Sequence, residues 1–170
     1  MAKLPIITMP DPLLRQRSLS VERVDDDLRR LMEDMLEAMY AAPGVGLAAV
    51  QVGVPRRVVV LDVADKNEPR QPLYLVNPEI VARGAELRRY EEGCLSLPDV
   101  RLEIERPGAI TLRYLDRGGQ PRQLEAEGLL ATVIQHEVDH LDGKLIIDFM
   151  SRLKRDMVVR KLKKLARQDD

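Results

Sequence analysis

Apolar residues recur at Leu28, Leu31, Met32, Met35, Leu36 and Met39, and this spacing predicts a first helix from about Asp25 to Ala42. Asp25, Asp26 and Asp27 suit its positively polarised start, and Pro43-Gly44 stops it. A methionine stripe can be a binding surface, but at helical spacing it reads as core packing. The pattern then changes to short β-branched runs and period-two alternation. Strands are predicted at Arg57 to Val63, at Leu73 to Val76 (ended by Asn77-Pro78), at Arg101 to Glu105, at Ala109 to Leu115 and at Arg122 to Ala126. Ile80 to Tyr90 is less regular, and Asp116-Arg117-Gly118-Gly119 reads as a hairpin turn. A second helix, Leu129 to Leu141, is apolar on most sides and so predicted to be buried, with Asp142-Gly143 ending it. A third, about Ser151 to Arg167, is far more basic. A helix, several antiparallel strands and further helices, without βαβ alternation, make an α+β fold.

Composition narrows the class. With 170 residues, 45% hydrophobic and 32% charged, the chain is a single globular domain able to bury its own core. Twenty-seven basic against 28 acidic residues give a net charge of −1, which excludes a uniformly basic nucleic-acid coat and argues against DNA as a partner. Aromatic residues are 3% with no Trp, so a base-stacking surface is not expected. No apolar run approaches the roughly 20 residues that span a bilayer. The start, Met1-Ala2-Lys3-Leu4-Pro5, has no signal-peptide core, so a soluble protein is expected, with no membrane partner. Cys94 is the only cysteine, which excludes an intrachain disulfide and points to a reducing compartment, the cytoplasm.

The only two histidines, His136 and His140, stand four apart in Gln135-His136-Glu137-Val138-Asp139-His140. On a helix they share one face, with Cβ atoms about 5–6 Å apart, a span that one metal ion can bridge. Glu137 between them can take a proton from the water a metal activates without itself being a ligand. Two satisfied core histidines are the plainer reading. Polar residues inside an apolar helix need partners to offset their desolvation, however, and this favours a metal. A catalytic site needs a third ligand, and no other histidine exists. Cys94, in Glu92-Gly93-Cys94-Leu95-Ser96, is the remaining soft donor; an isolated cysteine is more often a small buried hydrophobe, but opposite a histidine pair that lacks a third ligand it reads as that ligand. Gly44-Val45-Gly46-Leu47-Ala48-Ala49-Val50-Gln51 reads as a turn that is not a phosphate loop, since no strand precedes it. Gln51 is its one polar residue, beside glycines that admit a substrate backbone. The residues by themselves reach metal-assisted hydrolysis of an amide-like carbonyl, and no further.

Taken in order, these three segments resemble the three signature motifs of the peptide deformylases, and the resemblance covers essentially the whole chain, including the Ile6 to Asp11 strand-and-turn. It implies antiparallel strands packed around a central HExxH helix, with an N-terminal helix and a basic C-terminal helix. Residues 1–150 would form the catalytic part, and 151–170 a basic helix of the same single domain. Cys94, His136 and His140 would bind the metal, Fe2+ in the bacterial enzymes, with Zn2+, Ni2+ or Co2+ able to replace it. Glu137 would be general base and then general acid. The Gln51 side chain and the Leu95 backbone N–H would stabilise the oxyanion at the formyl carbon. Val45 and Gly46 would pair with the substrate backbone. Val45, Leu129 and Val133 would line the pocket for the methionine side chain. The activity implied is removal of the N-formyl group from the formylmethionine of newly synthesised polypeptides, with release of formate. The uninterrupted motifs and extended C-terminal helix resemble the form found in many Gram-negative bacteria.

Two rival readings share parts of this pattern. A zincin-type metallopeptidase has the same helix motif but takes an acidic or histidine third ligand. A structural metal domain that binds ribosomes needs neither Glu137 nor Gln51. The C-terminal segment bears on partners in another way. From Met150 to Asp170, eight basic residues (Arg152, Lys154, Arg155, Arg160, Lys161, Lys163, Lys164, Arg167) and three acidic ones (Asp156, Asp169, Asp170) give +5, leaving −6 elsewhere. Leu153, Met157, Leu162 and Leu165 read as an apolar stripe among these charges. A solvated terminal helix is one reading; the resemblance favours a docking element for the ribosome, steered by charge.

Overall fold

Val58, Val59, Val60 and Leu61 are all fully buried, although a strand facing water on one side would alternate. The reason is a helix on each face. The structure, a computed structural model, describes residues 4–168; Met1 to Lys3 and Asp169-Asp170, which entered the reading of the start and the charge count, lie outside the described residues. Strand β2 (Val58–Leu61) sits in an antiparallel five-stranded sheet with β1 (Gly46–Ala48), β3 (Leu73–Arg83), β6 (Ala109–Leu115) and β7 (Pro121–Glu127), in the order β1-β2-β3-β6-β7. Val59 and Leu61 face helix α2 (Gly128–Leu141), packing with Ala131, Ile134, Val138 and Leu141. Val58 and Val60 face helix α1 (Asp26–Ala41), packing with Met32, Met35 and Met39. The methionine stripe is therefore core. At the start of α1, Asp25 accepts a hydrogen bond from the Leu28 N–H at 2.9 Å, as an N-cap should.

A separate hairpin, β4 (Leu87–Cys94) and β5 (Leu97–Pro107), stands beside the sheet and turns at Leu95-Ser96. Helix α3 (Arg152–Gln168) packs on a third cluster, where Leu162 joins Leu97, Ile104, Leu145, Ile146 and Ile147. The α+β reading holds.

Several local expectations need correction. β3 does not end at Asn77-Pro78. A register irregularity between Val76 and Glu79 absorbs the proline, Asn77 adopts a left-handed φ of 49°, and the strand resumes to Arg83. The side-chain amide of Asn77 holds Val21 through both its backbone N–H and C=O, each at 2.8 Å. The irregular stretch Ile80 to Tyr90 is the end of one strand and the start of the next, and β5 is longer than its alternation suggested. Residues 46–48, read as part of a turn, form edge strand β1. Ile6 to Asp11 joins no sheet; it is tied by Ile7 N–H to Gln51 O at 2.7 Å and Met9 N–H to Ser96 O at 2.8 Å. The first turn of α2 is less buried than expected, with Leu129 45% exposed. The α3 stripe is also split. Leu162 is buried with Val158 and Val159 beside it, whereas Leu153 and Met157 are 74% and 61% exposed. Among the described residues, no helix is long and apolar enough to cross a membrane.

Candidate active site and metal centre

Three elements meet at one cleft of about 410 Å³. Its lining includes Val45, Gly46, Gln51, Cys94, Leu95, Leu129, Val133, His136 and Glu137, so residues far apart in the chain come together there. His140 is buried next to it, with Nε2 3.2 Å from Cys94 Sγ. Cys94 ends β4 and is therefore brought over the α2 face that carries both histidines. The two imidazole centroids are 5.0 Å apart with planes at 63°. One donor atom from each of Cys94, His136 and His140 lies within 4.8 Å of the others.

Hydrogen bonds set the tautomer of His136. Its Nδ1 is 2.9 Å from Glu92 Oε1, and a carboxylate only accepts, so Nδ1 is the donor and Nε2 is the nitrogen left for a metal. Glu92 is in turn held by Arg106, whose Nε and Nη2 donate to its two oxygens at 2.7 and 3.0 Å. Nη1 of the same guanidinium donates to Asp139 at 2.8 Å, and the Phe149 ring stacks 4.8 Å from its carbon. Burial pushes the Glu92 carboxyl up, but His136 and Arg106 outweigh it and hold the pKa below the usual carboxylate range. For His136, burial disfavours charge, yet Cys94 and Glu92 outweigh it and raise the pKa well above the ordinary histidine value. His140 is pushed well down by its own burial and by the neighbouring charges of His136 and Arg106.

This chemistry suits a cation. A soft sulfur and two imidazoles are a donor set for a transition metal or zinc, and a thiol proton and an imidazolium proton are what such an ion displaces. His140 Nδ1 and Glu137 Oε1 are buried with no hydrogen-bond partner among the described residues. Glu137 lines the cleft, so the partner its Oε1 lacks is one that a group bound there would supply, whereas His140 Nδ1 lies on the ring edge away from Cys94.

Glu137 follows His136 but faces β1. A Cβ added to Gly46 would lie 2.5 Å from Glu137 Oε2 and 3.0 Å from Val133 Cγ1, so only glycine lets that backbone approach the carboxyl so closely. Burial raises the Glu137 pKa to about 7, with His136 pulling it down and Glu92 pushing it up. A carboxyl poised there exchanges protons readily near neutrality.

The orientation of Gln51 is equally determined. Its Oε1 accepts from the Ala48 N–H at 2.9 Å, so its NH2 must point the other way. There Nε2 donates to Ser96 Oγ at 3.0 Å and lies 3.7 Å from Cys94 Sγ. A fixed donor thus stands next to the candidate metal ligands. Glu92, Ser96 and Asp139 stand in the sequence motifs with no role assigned there, and Arg106 lies outside them. A Glu two positions before a candidate ligand is a signal that the sequence did carry.

The comparisons with known proteins agree with this picture. The family model described as polypeptide deformylase matches residues 3–156. The peptide deformylase of Rhizobium meliloti is 58% identical over 163 residues, covering 96% of this chain and 94% of that protein. That of Agrobacterium fabrum is 55% identical and covers 96% of each. Among solved structures, the peptide deformylase of Ehrlichia chaffeensis superimposes with a TM-score of 0.93 at 41% identity, covering 99% of both chains. A second structure of it, in complex with actinonin, gives a TM-score of 0.91 at 42% identity over 96% of this chain and 98% of that one. The chain belongs to the peptide deformylase family, metal-dependent hydrolases that remove the N-formyl group from nascent polypeptides.

Proposed function

We propose that Cys94, His136 and His140 hold the metal, Fe2+ in the working enzyme, and that Glu137 is the proton carrier of the hydrolysis. The observation that carries this reading is the convergence of Cys94 Sγ on His140 Nε2 at 3.2 Å beside a buried, unpartnered Glu137 oxygen. A bound metal supplies Lewis acidity and a lowered pKa for water. Glu137 takes a proton from the attacking water as its oxygen bonds to the formyl carbon. The Gln51 amide and the Leu95 N–H donate to the oxygen that gains charge. Glu137 then gives the proton to the leaving nitrogen as the carbon–nitrogen bond breaks, yielding formate and a free amino terminus.

The substrate backbone pairs with the free edge of β1 through Val45 and Gly46, as an added strand. Its methionine side chain enters the apolar wall of Val45, Leu129 and Val133. The exposure of Val45 (48%) and Leu129 (45%) supports this, since both are apolar surfaces that a bound side chain would cover. The part up to residue 150 carries catalysis, and the basic helix α3 (Arg152–Gln168) of the same domain docks on the ribosome. A thiolate ligand favours a reducing compartment, the cytoplasm, as the place of work. The direct test is formate release from a formyl-Met-Ala peptide by the metal-loaded protein. Release with saturation kinetics supports the reading; absence of turnover in a fully loaded sample overturns it. Metal content of Cys94→Ala separates it from a zincin-type site, in which this residue would not be a ligand.

A further inference from the structure

Edge strand β1 is only three residues long, yet it has to hold Gly46 against Glu137 while a substrate pairs on its open side. What fixes its leading end is a buried carboxylate outside the cleft. Asp62 follows β2 directly and its N–H donates to Val45 O at 2.9 Å, extending the β1–β2 ladder by one bond. Its carboxylate, in a residue only 6% exposed, accepts from Tyr40 Oη at 2.5 Å, from the Ala64 N–H at 2.9 Å and from the Gln71 N–H at 3.0 Å. Tyr40 lies in the last turn of α1, and the neighbouring Met39 C=O accepts from the Gly44 N–H at 2.7 Å. The segment leading into β1 is therefore clasped from two sides, by the end of α1 and the end of β2. Asp62 joins the two.

We propose that the Asp62–Tyr40 pair is a positioning device for the substrate-pairing strand, an inference that rests on the assignment of Val45 and Gly46 to substrate pairing. Burying a carboxylate is costly, and an apolar residue could end β2 without that cost. Three donors offset it here and keep the group charged; its pKa is held low because those bonds outweigh burial. The gain is a short edge strand whose open N–H and C=O groups stay at one height above α2. A displacement of Val45–Gly46 by a few tenths of an ångström would misalign each added residue of a paired substrate, so the penalty should grow with substrate length.

The test uses the metal-loaded protein on three substrates, a formyl-Met amide and formylated di- and tripeptides, with Tyr40→Phe and Asp62→Asn compared to the parent. Tyr40→Phe keeps the ring and removes only the hydroxyl, so folding should be preserved. The parent should gain kcat/KM with each added residue. Both variants should lose about five- to tenfold on the tripeptide, the effect of about one backbone hydrogen bond, mainly through KM, with a much smaller loss on the amide. The double variant should be no worse than Asp62→Asn alone, since the two act as one unit. A parent that gains nothing with length would overturn the strand-pairing assignment and this role with it. Variants that keep the parent's full gain would overturn the positioning role alone, as would a uniform loss on all three substrates.

Discussion

Glu92 and Glu137 are both nearly inaccessible and both adjoin His136, yet their surroundings push them in opposite directions. Glu92 has Arg106 across both oxygens and is held low; Glu137 has an unpartnered oxygen and rises to about 7. One is fixed as an anion that orients an imidazole, and the other is left able to exchange a proton. Replacing Glu92 by Gln should therefore lower metal affinity by about 10- to 100-fold, because His136 loses the anion that fixes its tautomer. Metal titration of the variant checks this, and unchanged affinity would count against the orienting role. At this scale the sequence was most legible. Cys94, His136 and His140 are so scarce by type that their positions alone raised the metal hypothesis. Arg106 was not legible, because on a strand of alternating charge it is one arginine among many; only the fold places it on Glu92 and Asp139.

Elements declare themselves where one face must be buried. The Leu28–Met39 stripe predicted α1 and its buried face, and Met32, Met35 and Met39 are fully buried. Met35→Ala should destabilise the fold by about 2–5 kcal/mol, read from denaturant unfolding, as cavity formation in a packed core requires. A change below about 1 kcal/mol would mean that the core collapses around the gap. The sequence was weakest where irregular backbone is absorbed by partners distant in the chain. Pro78 looked like a strand end because nothing local shows that Asn77 is braced by Val21. β1 looked like a turn because three residues carry too little pattern. Asp62 also acts at this scale, as a joint between elements. Its pKa is lower in the folded state, so its contribution is fully present above about pH 4 and lost as pH falls through the folded value. Tyr40 has the opposite sign. Raised to about 12, it contributes fully below about pH 10, and that contribution fades as pH rises through the folded value. Asp62→Asn should accordingly show a shallower fall in Tm below pH 4 than the parent, measured by circular dichroism. Parallel curves would contradict the linkage.

Across the whole molecule, charge is divided between a basic C-terminal segment and an acidic remainder. The hydrophobic pattern of α3 gave its existence but not its seating, since Leu162 packs inward while Leu153 and Met157 stay exposed. Truncation after Met150 should leave cleavage of short formyl peptides nearly unchanged while abolishing salt-sensitive ribosome co-sedimentation. Because it uncovers the Leu162 site, it should also lower stability by about 2–3 kcal/mol. Charge reversal at Lys154, Lys161 and Lys164, all exposed, should lose ribosome binding without that destabilisation. Equal co-sedimentation by parent and variants would rule out docking through this helix. The central claim is narrower: three side chains hold a metal and a fourth, not a ligand, moves the proton. Formate release by Glu137→Gln, with metal content determined on the same sample, tests it most directly. The account predicts metal equal to the parent and turnover reduced about 10²- to 10⁴-fold. Parent-like turnover in the loaded variant, or loss of the metal itself, would contradict it.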